Sequence, residues 1–133
     1  MSDLDPGLDR LELRLRAATL EALFVEAARE MVALTGGRAK PEVLIRRPME
    51  VRGEDYATLL LAWLRAILAY SDLEDRVFVD FTIVNLSPLR LTALAAGGLR
   101  ERLQRRLTLE QGLEIVIRET AEGFETTIPL RAA

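Results

Sequence analysis

Near the start of this chain apolar side chains alternate with charged ones. Over 10–16, Leu11, Leu13 and Leu15 fall on one face and Glu12 and Arg14 on the other, and a period of two predicts a half-buried β-strand. The period then lengthens. Leu20, Leu23, Phe24, Ala27, Met31 and Leu34 recur at steps of three and four, which gathers them into one stripe of a helix. Thr19 stands before them as a hydroxyl N-cap. Gly36-Gly37 stops the helix, because glycine takes the left-handed closing conformation without steric cost.

A second strand is predicted over 43–51. It carries Pro48, which has no N–H for a ladder, so this strand is expected at a sheet edge or with a bulge. The strongest helical pattern follows over 55–70, where Tyr56, Leu59, Leu60, Trp63, Leu64, Ile67 and Leu68 make a broad apolar face suited to covering a sheet. Tyr56 and Trp63 sit on that face among leucines, so both are expected in the core rather than at a binding surface. Ser71-Asp72 and a charged turn lead into strands over 77–86 and 89–96, joined at Ser87-Pro88, with Gly97-Gly98 ending the second. Residues 99–109 admit two readings. Leu99, Leu103 and Leu107 are spaced for a short helix, while Leu107 and Leu109 alternate like a strand. Leu113, Ile115 and Ile117 alternate again, and Glu122-Gly123 turns the chain into 124–130, a C-terminal hairpin.

The order β-α-β-α-β-β-β-β predicts an α+β fold: two main helices packed against one mixed β-sheet in two layers. With 133 residues the chain is expected to form one domain over 1–133, residues 1–9 leading loosely into it. The opening residues lack a charged-then-apolar signal pattern, and the longest apolar run, over 59–64, is far short of a membrane span. A cytoplasmic protein is expected.

Composition narrows the chemistry. Net charge is −3 and the pI is near 5.1, so no global basic field recommends nucleic acid as a direct partner. The chain has no cysteine and no histidine, which excludes disulfides, thiolate or imidazole metal sites, and Ser-His or Cys-His catalysis. Neither glycine pair sits in a phosphate-binding fingerprint. Asp3, Asp5 and Asp9 form a small acidic group, but they lack the glycine and closing glutamate of a calcium loop, so a solvated tail is the preferred reading. Arg100, Arg102, Arg105 and Arg106 make the densest positive patch, a candidate contact for a partner. It has no aromatic residue for base stacking and is diluted by Glu101 and Glu110. No convergent carboxylate cluster supports an enzyme.

Three stretches carry a resemblance. Thr19-Leu20-Glu21-Ala22-Leu23-Phe24 with Ala27-Ala28 is similar to the first helix, "TLEEAF…AA", of the archease family. Glu50-Val51-Arg52-Gly53-Glu54-Asp55 leading into Leu59-Leu60 and Trp63-Leu64 resembles that family's "V-x-G-E-D-L…LL…WL". Gln111-Gly112-Leu113-Glu114-Ile115, with Gly123-Phe124, resembles its closing "H-G-L-E-V…G-W". The resemblance covers about 10–131 and implies the archease α+β fold. It also implies a non-enzymatic protein partner of RtcB-type tRNA-splicing RNA ligases, promoting guanylylation with a divalent metal held by carboxylates from the two chain ends.

The ends depart from that pattern. The family's His-Thr-Ala-Asp falls on Gly7-Leu8-Asp9-Arg10, its C-terminal aspartate on Arg131, the histidine of its "T-Y-H" segment on Gln111, and the acidic position of its second helix on Ala62. Two guanidinium groups repel a cation that two carboxylates would neutralise. No metal and no cofactor are therefore expected, Asp9 being the one alternative ligand. The nearest acidic residue before Arg131 in the closing strand is Glu125. Arg10 and Arg131 are left either to pair with local carboxylates or to bind an anion. An interaction or chaperone-like module unrelated to RNA ligation is the alternative function.

Overall fold

The computed structural model describes residues 9–41 and 44–132, Asp9 by its backbone alone. The chain runs β1 (Asp9–Ala17), α1 (Leu20–Thr35), β2 (Arg38–Ala39), β3 (Ile45–Arg52), α2 (Tyr56–Glu74), β4 (Arg76–Ser87), β5 (Arg90–Arg102), β6 (Leu107–Thr108), β7 (Arg118–Thr120) and β8 (Gly123–Ala132). The α+β class is as predicted. The strands form two four-stranded sheets, with β8 between β1 and the short β6 and β7 in one, and β5 flanked by β4 and by β2 and β3 in the other. All of these pairings are antiparallel. This corrects the expectation of one mixed sheet: neither long helix serves as the crossover that a parallel pair requires.

Local chemistry explains both helices. The Thr19 hydroxyl accepts from the Ala22 amide at 3.1 Å, and Gly36 closes α1 at φ 65°. The buried stripe of α1 is Leu23, Phe24, Ala27, Ala28 and Met31; α2 answers with Leu59, Leu60, Leu61, Trp63, Leu64 and Ile67. Trp63 is fully buried and meets Phe81 of β4 edge-on, ring centroids 5.8 Å apart. Tyr56 is partly buried against the same core. The second helix outruns its predicted end at Tyr70 by a turn, continuing through Ser71 and Asp72 until Asp75 adopts a left-handed φ of 52°. β3 lies at an edge of its sheet, with Pro48 opposite Leu94.

Two sequence expectations fail in the second half. Gly97-Gly98 does not end β5, which continues to Arg102. A Cβ at Gly97 would lie 2.3 Å from the Val77 carbonyl oxygen and 2.8 Å from Phe78 Cα, so glycine here lets two strands approach beside the bulge at Val79. The predicted strand at Leu113, Ile115 and Ile117 packs its apolar side on the core without joining a ladder, and pairing resumes only at Arg118. Alternation reports which side of a segment is covered, not whether its amides are paired. In 99–109 no helix forms: the strand reading holds at Leu107–Thr108, and 99–102 belong to the extension of β5.

Candidate functional site at the joined chain ends

The ladder between β1 and β8 brings the two ends of the chain side by side. In its register Arg10 is directly opposite Arg131, Leu11 opposite Leu130 and Leu13 opposite Ile128. Leu13, Ile128 and Leu130 face the core, and side chains alternate along a strand, so Arg10 and Arg131 share the outer face. Cβ atoms of directly opposed residues lie about 4.5–5.5 Å apart, which places both guanidinium groups at one site. On the other flank of β8, Thr108 of β6 is opposite Arg131.

Glu110 completes the arrangement, and sequence reasoning missed it. It follows Thr108 by two residues, and its carboxylate holds the Arg131 guanidinium in an ion pair. The main-chain carbonyl of Glu110 accepts from Arg65 of α2 at 2.6 Å, so a helix fixes the segment that presents the carboxylate. Arg10, Glu110, Leu113, Pro129 and Arg131 line a cleft of about 180 Å³. Among the described residues Arg10 makes no ion pair, and Glu12, which shares its face, is held by Arg14 at 2.8 Å. Glu125, the nearest acidic residue by sequence, pairs instead with Arg16 and Arg118. Asp9 lies opposite Ala132; Asp3 and Asp5 lie outside the described residues.

The arginine segment is not one patch. Arg100 is nearly buried and clamps the end of α2, donating to the Ser71 carbonyl at 3.2 Å, the Ser71 hydroxyl at 3.1 Å and the Asp72 carboxylate at 3.1 Å. Arg106 binds the same Asp72 oxygen at 2.8 Å. Arg105 is partly buried, and its amide donates to the Thr35 carbonyl at 3.1 Å. Only Arg102 stands exposed without an ion pair among the described residues of this group, opposite Arg38.

The motif at Gly53-Glu54-Asp55 is a helix-starting device. The Asp55 carboxylate accepts from the Thr58 amide at 2.8 Å, and the Thr58 hydroxyl accepts from the amides of Glu54 and Asp55 at 2.8 and 3.1 Å. Hydrogen bonding from Thr58, its main-chain amide first, holds the Asp55 carboxyl below its ordinary value. Gly53 passes so close to the helix that a Cβ would sit 2.8 Å from the Leu59 amide nitrogen.

Among the described residues no three acidic, histidine or cysteine side chains gather as metal ligands, and no helix is long and apolar enough to cross a membrane. None of the curated proteins matches the chain. A protein-family model described as the Archease protein family (MTH1598/TM1083) matches residues 11–111, from Leu11, the third residue of β1, through both helices to Gln111; Arg10 and Arg131 lie outside it. The match spans most of the sequence and runs through the helix caps, the buried stripes and the central strand β5 described above, so the chain belongs to the archease family.

Proposed function

We propose that this archease-family protein acts as a non-enzymatic protein partner of an RtcB-type RNA ligase and does so without a metal centre of its own. Family membership supports the ligase link. The observation that carries the second half is the register of β1 and β8, in which Arg10 and Arg131 stand opposite each other. Hard divalent cations take six or more oxygen ligands. Here the described residues offer one carboxylate, Glu110, already bound to Arg131, beside a second guanidinium. That donor set does not fit Mg²⁺, Mn²⁺ or Ca²⁺.

The test uses a purified RtcB-type ligase in a guanylylation assay with and without this protein. Co-elution with the ligase and a changed guanylylation rate are expected. Absence of both removes the ligase link and leaves an interaction module with another partner.

A further inference from the structure

We infer that the cleft between Arg10 and Arg131 is a carboxylate-binding site. The antiparallel register forces the two arginines onto one face, where like charges directly opposite each other destabilise a sheet. Glu110 offsets one of them by binding Arg131. Among the described residues nothing offsets the other, since Glu12 is committed to Arg14. One positive charge therefore faces a cleft of about 180 Å³ whose walls include Leu113 and Pro129.

The ligand class follows from charge and shape. A planar guanidinium matches a carboxylate through two parallel N–H···O bonds, and Leu113 and Pro129 line the cleft beside it. A monoanion cancels the remaining charge. A phosphate dianion would bring a second negative charge against Glu110. The inference does not rest on the ligase reading, because any carboxylate of suitable reach meets the same groups.

The test follows the side-chain Nε–Hε signals of Arg10 and Arg131 by NMR while acetate is added at constant ionic strength, with chloride and sulfate as controls and exposed Arg118 as internal reference. Saturable shifts at Arg10 and Arg131 are expected with acetate, with half-saturation about tenfold lower than with chloride. Arg10→Gln should abolish the shift at Arg131 while leaving the circular dichroism spectrum unchanged. An oligo-aspartate peptide is the second probe: tighter binding than acetate identifies an acidic peptide as the source, and equal binding a free carboxylate. Shifts no larger than those of Arg118, or equal with chloride, overturn the site. Acetate binding that emerges only in an Asp3→Asn/Asp5→Asn variant would assign the cleft to the chain's own acidic residues and overturn an external ligand.

Discussion

The indole N–H of Trp63 donates to the main-chain carbonyl of Phe24 at 3.1 Å, tying the middle of α2 to the second turn of α1. Both residues are fully buried, so this bond sits where water cannot replace it. Trp63→Ala removes the bond and the edge-on contact with Phe81 and leaves a cavity; a loss of about 3–5 kcal/mol is expected. Trp63→Phe keeps an aromatic ring and loses the donor, and about 1–3 kcal/mol is expected from the missing bond and the smaller volume. Urea unfolding measures both. A Phe variant as unstable as the Ala variant would mean that the hydrogen bond dominates over packing.

Gly97 and Gly98 are neighbours with different surroundings. At Gly97 a new Cβ meets backbone atoms of β4, the closest at 2.3 Å, whereas at Gly98 the closest is the Lys40 carbonyl oxygen at 3.0 Å. Backbone in a paired strand cannot swing aside as a side chain can. Gly97→Ala is expected to cost about 1–3 kcal/mol or to break the β4–β5 register, and Gly98→Ala clearly less. Thermal unfolding of the two variants gives the order, and a reversed order contradicts the assigned close approach.

Those glycines mark where sequence reading stops. Thr19 and Gly36 were legible because a cap is chemistry within a few residues, and the stripes of both helices follow from a fixed period; the capping role of Asp55 emerges only with its bonds to Thr58. Gly97 looks the same in sequence whether it ends a strand or admits a neighbouring one; only the position of Val77 decides. The ladder of Leu113, Ile115 and Ile117 was misread for a related reason, since burial of one side does not supply a partner for the amides. At the chain ends, the arginines at positions 10 and 131 were visible, but Glu110 reaches Arg131 only through the β6–β8 pairing. Long-range register of that kind has no local signal.

The cap on α2 carries a pH dependence with a definite sign. The folded-state pKa of Asp55 lies below its ordinary value of 3.8, chiefly through hydrogen bonds from Thr58. A depressed carboxylate contributes stability that is present above the unfolded value and is lost as pH falls through the folded one. Asp55→Asn keeps a capping side chain without the charge. The wild type is therefore expected to exceed this variant in melting temperature at neutral pH, with the gap closing in acid below pH 3.8. A gap independent of pH would assign the cap's effect to geometry alone.

Arg100 and Arg102 should respond oppositely to truncation. Arg100 is only 12% exposed and bridges Ser71, Asp72 and Asp75 at the end of α2, so Arg100→Met is expected to cost about 1–3 kcal/mol through lost charge-assisted bonds. Arg102→Ala, at an exposed position, should stay within about 0.5 kcal/mol. Hydrogen exchange over 70–76 separates the two: faster exchange in the Arg100 variant alone supports the clamp, and equal rates oppose it.

Reversing charge at the chain ends tests the proposed absence of a metal centre. In Arg10→Asp/Arg131→Asp, the register that now opposes two guanidinium groups would oppose two carboxylates, with Glu110 released from its ion pair to serve as a third. Three converging carboxylates suit a hard divalent cation. An ion that binds only the folded state raises stability by about 2.7 kcal/mol at one hundred times its dissociation constant. Thermal-shift titration with Mg²⁺, Mn²⁺ and Ca²⁺ should therefore leave the wild type unmoved and stabilise the double variant. Arg10→Gln/Arg131→Gln controls for the simple relief of repulsion, since it removes both positive charges without supplying ligands and should not respond to metal. Stabilisation of the wild type at low metal concentration would mean that oxygen ligands from elsewhere complete a site beside these arginines, and the proposed replacement of cation binding by anion binding at this end of the sheet would be wrong.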